Sequence, residues 1–241
     1  MKSNFLKMGI AGICTSVLLF GSSSLTLAKE NSSEPQLTKA QQLELKKAKE
    51  KEQQLLKNWS NKISQDTIKE YAKDKKLTLK KDSIGKYSVS SSSSKYSIGS
   101  KGDILYTNSK GSSSGSWAGG HIAVVINGNN TVEAFHKSVT SKDGVRLWPN
   151  DWKKRYKKIK GLWVRKATDK DYNYAASYAR GQVGKKYNIN FWNKKTTKKF
   201  YCSQLAWRAW YNKGYNLDDG GAVWPIDIYE DKQTKTFYSK G

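Results

Sequence analysis

Residues 102–241 change their apolar pattern halfway along, and this change limits the folds open to the chain. The first half holds short β-branched and apolar runs, two of which flank the turn signal Asn127-Gly128. The second half has helical spacing, because Thr168 and Asp171 resemble a capping box and open a helix that Gly184 would end. Strands first and helices after predict an α+β layer arrangement. The strand candidates are residues 103–107, 121–126, 131–135, 144–148 and 162–166.

The N-terminal 28 residues have the pattern of a signal peptide. Two lysines precede an apolar stretch over residues 8–20, and small residues stand before a cut that we place after Ala28. The protein is therefore expected to be secreted. An uncleaved membrane anchor is the alternative, and a lipoprotein attached through Cys14 is a weaker one.

Between this segment and residue 102 the composition changes twice. Residues 29–82 are expected to be a charged helical segment, with one helix beginning near Thr38 and a second near residues 65–76, capped by Ser64. A pro-segment that covers an active site and a solvated helical spacer are both open, and the thin apolar stripe favours the spacer. Residues 83–101 are rich in serine, which predicts a linker to a globular domain at 102–241.

The chain is strongly basic, with a formal charge of +24, of which +22 remains once the signal segment and its two lysines are removed. Such a surface favours anionic partners. For an exported protein, these would be wall polymers or a membrane surface, as expected of a Gram-positive bacterium, and no motif indicates specific nucleic-acid binding. Lysines that only keep the protein soluble are the simpler alternative.

Cys202 would be the only cysteine of the mature chain, because Cys14 leaves with the signal segment. An intermolecular disulfide, a buried small apolar residue and a reactive thiol are all open. Cys202 falls in the first turn of a helix and shares a face with Leu205, Ala206 and Ala209. Helix N-termini and a nearby imidazolium lower a thiol pKa from about 8.5 to roughly 3.5–7.5, so this position suits a nucleophile.

Two histidines can serve as its base, and His121 is the better placed. It opens an apolar strand directly after Gly120, where a substrate backbone can approach. If the hairpin loop holds three residues, Glu133 lies on the same face as His121 and can orient its imidazole. A two- or four-residue loop would turn Glu133 to the other face. His136 is the alternative third member.

Taken together, these motifs resemble the permuted papain-like amidases, the YaeF/YiiX group within the NlpC-type superfamily, with the Bacillus YycO-like proteins as the nearest resemblance. The resemblance covers residues 101–229 and lies in the order of the motifs. They are Gly102-Asp103-Ile104-Leu105, Gly120-His121-Ile122, Val132-Glu133-Ala134, Gly184-Lys185-Lys186-Tyr187-Asn188 and Tyr201-Cys202-Ser203-Gln204-Leu205.

What the resemblance implies is a circularly permuted papain-like fold, with an antiparallel sheet packed against the helix that carries Cys202. It also implies a cysteine hydrolase that cleaves amide bonds, with Cys202 as nucleophile, His121 as base and Glu133 as third member. Candidates for an oxyanion or substrate pocket are Tyr201, Ser203 and Gly120. No cofactor is expected, and no cluster with metal-ligand spacing is present in the sequence.

Three functions are compatible with this reading. An amidase or peptidase on cell-wall peptides is the first, and a lipid acyl hydrolase or acyltransferase with the same triad is the second. The third is a non-catalytic domain that binds wall polymers, since the nine tryptophans and fourteen tyrosines suit sugar stacking as well as a core.

Overall fold

The structure is a computed structural model that describes residues 36–89, 94–108, 120–141, 143–218 and 220–241. The predicted signal peptide, with its cut after Ala28, lies outside the described residues. Residues 37–241 belong to one compact unit. In the part of the chain that is described, no helix combines the length and the apolar composition needed to cross a membrane.

Helices and strands alternate along the described chain in an α+β order. They are α1 Lys39–Lys57, α2 Gln65–Asp74, β1 Leu79–Lys81, β2 Tyr87–Val89, β3 Ile104–Thr107, β4 His121–Asn127, β5 Asn130–Phe135, β6 Gly144–Pro149, α3 Trp152–Arg155, β7 Ile159–Val164, α4 Asp169–Gly181, β8 Lys186–Tyr187, β9 Lys199–Phe200, α5 Cys202–Tyr211, α6 Pro225–Glu230 and β10 Thr234–Lys240.

A six-stranded antiparallel sheet forms the centre of the molecule, in the order β10-β7-β3-β4-β5-β6. Its two central strands, β3 and β4, are buried at nearly every position. Continuous apolar runs of this kind are expected where a sheet is covered on both faces. The sequence patterns located five of these strands, but the edge strand β10 was missed because its polar residues conceal the alternation.

The β4–β5 hairpin has the predicted pairing, but its loop differs from the predicted one. Ala123 lies opposite Glu133, as a three-residue loop would require. The loop itself is shorter, because Asn127 pairs with Asn130, and a bulge between Val125 and Asn127 absorbs the extra residue. The expectation that a two-residue loop would turn Glu133 away from His121 is therefore wrong, since a bulge shifts the register by one.

Two helices begin where the sequence predicted. Thr168 caps α4 and forms a reciprocal capping box with Asp171. α5 begins at Cys202 after Tyr201, whose backbone is extended, and Gly214 follows its end with a φ of +89°. A positive φ of this size is easily adopted only by glycine. α5 contacts both β4 and β5.

The N-terminal helices pack on the sheet, so the solvated spacer favoured by the sequence is not what the structure shows. The Tyr71 ring of α2 stacks on Phe237 of β10 at a centroid distance of 4.1 Å. The Tyr71 hydroxyl donates to the buried Asp103 carboxylate at 2.5 Å, and Lys75 forms an ion pair with the same group at 3.0 Å. α1 contacts α6, where Lys51 donates to Asp227 at 3.1 Å.

Parts of the segment 83–101 are also built into the fold rather than linking two units. Tyr87–Val89 forms a strand that pairs with β1. Ser97 and Ile98 are buried, and the Ile98 backbone exchanges two hydrogen bonds with the Asn150 side chain. The serine-rich composition predicted a linker because the segment holds few apolar residues to bury. Composition does not show that the Ile98 backbone groups have hydrogen-bond partners on a side chain distant in sequence.

We expect a chain that begins at residue 83 to be less stable than one that begins at residue 36, by more than about 3 kcal/mol. The shorter chain would leave the buried Asp103 carboxylate without Tyr71 and Lys75 and would expose apolar surface of the sheet. Urea unfolding of the two chains measures the difference, and a Tyr71→Phe variant isolates the hydroxyl contribution. Equal unfolding midpoints, together with higher activity of the shorter chain, would instead indicate an inhibitory pro-segment.

Candidate active site

The structure brings Cys202, His121 and Glu133 together from three elements. β4 begins at His121, its neighbour β5 carries Glu133, and α5 begins at Cys202. The imidazole Nε2 lies 2.7 Å from Glu133 Oε2. The Cys202 thiol lies close enough to the same imidazole for each group to shift the pKa of the other. The imidazole is therefore next to the thiol and hydrogen-bonded to the carboxylate.

Gly120 provides the backbone geometry that precedes His121. Its φ is +109°, and a Cβ atom at this position would lie 2.9 Å from the Thr107 carbonyl oxygen on β3. A side chain here would be strained by the backbone conformation and by the short contact. Gly120 thus allows the chain to enter β4 close to β3.

Glu133 is completely buried, and every acceptor position of its carboxylate has a donor. Oε1 accepts from Thr131 at 2.6 Å, from the Trp152 indole at 3.1 Å and from Arg155 Nη2 at 2.6 Å. Oε2 accepts from Arg155 Nη1 at 3.2 Å in addition to facing His121. A buried carboxylate needs such partners to stay ionised.

Electrostatics favour the ionised form of Glu133. Burial raises the pKa of this carboxyl, but the hydrogen bond with His121 and the Arg155 charge oppose burial and lower the pKa from 4.5 to about 2. Glu133 is therefore a carboxylate at neutral pH, and it accepts a hydrogen bond from the Nε2–H of the imidazole. That hydrogen bond fixes the ring orientation and leaves Nδ1 on the side of the ring away from Glu133.

The thiol and the imidazole each shift the pKa of the other toward the charged form. Burial lowers the pKa of His121, but its interactions with Cys202 and Glu133 raise the pKa to about 9. Burial raises the pKa of the Cys202 thiol, and the neighbouring His121 more than offsets this, so the thiol pKa lies below its ordinary value. The backbone N–H of Ile122 also favours the thiolate.

Packing holds the imidazole in place. The ring stacks on Phe135 at a centroid distance of 4.2 Å, and it is fully buried. Its Nδ1 is buried and has no hydrogen-bond partner among the described residues. Cys202 keeps 6% of its surface exposed, whereas His121 and Glu133 keep none.

Two predicted pocket residues have their hydroxyl groups committed to the fold. The Tyr201 hydroxyl donates to the Phe191 carbonyl at 2.9 Å and accepts from the Val223 N–H at 3.0 Å. The Ser203 hydroxyl donates to the Val223 carbonyl at 2.7 Å. Both hydroxyl groups therefore anchor the segment before α6 and are not free donors for a substrate. The prediction that Tyr201, Ser203 and Gly120 line an oxyanion or substrate pocket stays a prediction.

His136 lies apart from this arrangement. Its Nδ1 is 2.8 Å from the Ser138 hydroxyl, and its ring meets Tyr187 edge-on at a centroid distance of 5.5 Å. The alternative in which His136 is the third member is therefore not supported by the structure. β5 ends at Phe135, and His136 lies just before a turn at residues 137–139.

Arg155 and Trp152 were missed from the sequence. Both lie on the one-turn helix α3, and both donate to Glu133. The available signal was indirect: a glutamate predicted to face a core needs a cationic or N–H donor nearby. Nothing in the sequence pattern places a four-residue helix beside β5.

The described residues contain no group of three His, Cys, Asp or Glu side chains that could hold a metal ion. What they hold is a thiol with a lowered pKa beside an imidazole with a raised pKa, and a carboxylate hydrogen-bonded to the ring. This combination provides a nucleophile and a proton donor side by side, as nucleophilic catalysis on a carbonyl requires.

Comparison with known proteins agrees with this chemistry. The model of the permuted papain-like amidase enzymes, the YaeF/YiiX or C92 family, matches residues 99–237, which is more than half of the chain. The matched range contains all three residues of the site and the central sheet up to residue 237 of β10. No curated protein matches the sequence significantly.

Proposed function

Since the chain belongs to the permuted papain-like amidase family and is a cysteine hydrolase of that kind, we propose that it cleaves amide bonds in cell-wall peptides with Cys202, His121 and Glu133 as its catalytic triad. The single observation that carries the proposal is the buried His121–Glu133 pair, joined by the 2.7 Å imidazole–carboxylate hydrogen bond, with the Cys202 thiol beside the same ring. The proposed fold is the permuted one, in which the base and its partner precede the nucleophile along the chain.

In the first half of the reaction the Cys202 thiolate attacks the amide carbonyl carbon. The carbonyl electron pair moves to oxygen, and collapse of the tetrahedral intermediate breaks the C–N bond. The His121 imidazolium gives its proton to the departing amine. A thioester to Cys202 remains, and the amine fragment leaves neutral.

In the second half water resolves the thioester. His121 removes a proton from water, whose oxygen attacks the acyl carbon, and the C–S bond breaks. The acid product leaves, and the thiolate–imidazolium pair is restored. Glu133 stays ionised throughout, because it stabilises the imidazolium and fixes its orientation.

The oxyanion of each intermediate would be bound by backbone amides at the start of α5. The first N–H groups of a helix have no partner within it, and they carry the positive end of the helix dipole. Backbone donors are proposed here because the Tyr201 and Ser203 hydroxyls are engaged elsewhere. Removal of one such donor typically costs about 10²–10³ in turnover.

The wall as the site of action is supported by the charge and the N-terminal segment. The signal-peptide pattern predicts export, and the formal charge of +24 favours an anionic surface. The likeness to the YycO-like proteins stays a prediction from the motifs. A lipid acyl substrate would use the same triad, and its carbonyl would be an ester.

Digestion of purified peptidoglycan distinguishes these substrates. We expect the secreted protein to release peptides whose mass shows the addition of one water at an amide bond, with a new amine in each product. Mass spectrometry of the digest identifies the bond. Release of fatty acid from phospholipid vesicles without any peptide release would favour the lipid substrate, and binding to the wall with neither product would favour a non-catalytic module.

A further inference from the structure

A second pocket lies at the C-terminal half of α5, away from the thiol. It has a volume of about 420 Å³, and Trp207, Arg208 and Tyr211 of the helix line one side. Arg208 follows Cys202 by six residues, which is about 9 Å along a helix axis. The pocket is therefore not part of the triad described above.

The electrostatic balance of the pocket is positive. Lys194, Lys195 and Arg208 line it, and Asp218 is the only acid among the described lining residues. Asp218 is already paired with Lys194, so two cationic groups remain. The Arg208 Nη2 donates to the Lys195 carbonyl at 2.7 Å, whereas its Nε is buried with no partner among the described residues. Lys195 and the Arg208 guanidinium are therefore the groups that give the described lining its positive charge.

Aromatic surface stands beside these cations. The Tyr211 ring is 46% exposed and lies 4.7 Å from the Trp207 ring between centroids. The Trp207 indole N–H donates to Asn216 at 2.8 Å, which fixes the ring at the pocket wall. An exposed ring next to a guanidinium suits a ligand with both a flat apolar face and an acidic group.

We propose that this pocket binds a saccharide unit that carries a phosphate or carboxylate group. The acidic group lies against Arg208 and Lys195, and the sugar face packs on Tyr211. The site gives the basic surface one specific point of attachment to an anionic glycan. It does not use the Cys202 chemistry, so failure of this proposal leaves the proposed hydrolase activity unaffected.

Glucose 6-phosphate tests the proposal, with glucose and inorganic phosphate as single-feature probes. We expect calorimetry to show tighter binding of glucose 6-phosphate than of either probe by about tenfold or more, and the Trp207 indole resonance to move in NMR titrations. Equal affinity for inorganic phosphate would overturn the saccharide assignment. Absence of binding by all three at millimolar concentration would overturn the site.

Two matched variant pairs localise the binding. Lys195→Gln and Lys198→Gln remove one exposed lysine charge from the same loop, but only Lys195 lines the pocket. Tyr211→Ala and Tyr174→Ala remove similarly exposed rings, and only Tyr211 lines it. We expect the pocket variants to weaken glucose 6-phosphate binding several-fold and the control variants to leave it unchanged. Equal weakening within each pair would show general charge attraction and contradict the proposal.

Discussion

Replacement of Cys202 by alanine is expected to reduce peptide release from the cell wall by roughly 10⁴-fold or more, because no other group can form the acyl-enzyme. The thiol is the only sulfur nucleophile among the described residues. Its loss should leave the fold intact, since alanine fits the space and the helix start needs no side-chain cap from this position. Peptide release measured by mass spectrometry, beside a thermal melt, separates loss of chemistry from loss of fold.

The two histidines offer a matched control for this experiment. His121→Ala should also reduce peptide release by several powers of ten, because the thiol loses its partner. His136→Ala removes an imidazole that contacts Ser138 and Tyr187 and should leave the rate unchanged. A Cys202→Ala protein that still releases peptides at the original rate would sink the proposed mechanism.

Local sequence signals located most of the elements that carry the site. The residue types at the start of β4 and of α5 indicated a base and a nucleophile, because a glycine before a strand histidine and a cysteine in the first helical turn are chemically informative. The capping residues Thr38, Ser64 and Thr168 each begin a helix as predicted. These signals act within a few residues, which is why they can be recognised in a single sequence.

The hairpin shows where local reasoning was right for an incomplete reason. The pairing of Ala123 with Glu133 was predicted from a loop of three residues, whereas the structure combines a tighter turn with a bulge. Both arrangements pair Ala123 with Glu133, because the bulge in β4 takes up the residue by which the turn is shorter. Loop length alone does not determine which face a strand residue occupies, because a bulge elsewhere in the ladder compensates.

Long-range partners could not be found from the sequence. Arg155 lies 22 residues after Glu133, and Tyr71 lies 32 residues before Asp103. Each pair joins a buried carboxylate to a donor on a different element, and no periodicity relates them. The helical segment 29–82 was predicted to be solvated because its apolar stripe is thin, yet Tyr71 and Lys75 join its second helix to the sheet. A prediction from composition considers apolar area and does not include specific buried polar contacts of this kind.

The second large effect is expected from replacement of Arg155, whose guanidinium pairs with Glu133. Arg155→Met should lower the free energy of unfolding by about 3–5 kcal/mol, because it removes the guanidinium that pairs with the fully buried Glu133 carboxylate and leaves only His121 as a charged partner. It should also slow hydrolysis, since the carboxylate would take up a proton more readily and would hold the His121 imidazolium less well. Urea unfolding gives the stability change, and peptide release gives the rate.

Arg165→Met is the control, because Arg165 also pairs with a glutamate, Glu70, but both side chains are partly exposed. Exposed pairs contribute at most about 1 kcal/mol, so similar losses in the two variants would contradict the role given to burial.

The pH dependence of stability provides an independent measurement of the Glu133 ionisation. The pKa of Glu133 is about 2 in the folded protein, below its ordinary 4.5, so its ionisation stabilises the fold above pH 4.5, and this contribution is lost as the pH falls toward 2. Without Arg155 the folded-state pKa should rise, which reduces the stability gained from ionisation and makes this part of the acid dependence shallower than in the unsubstituted protein.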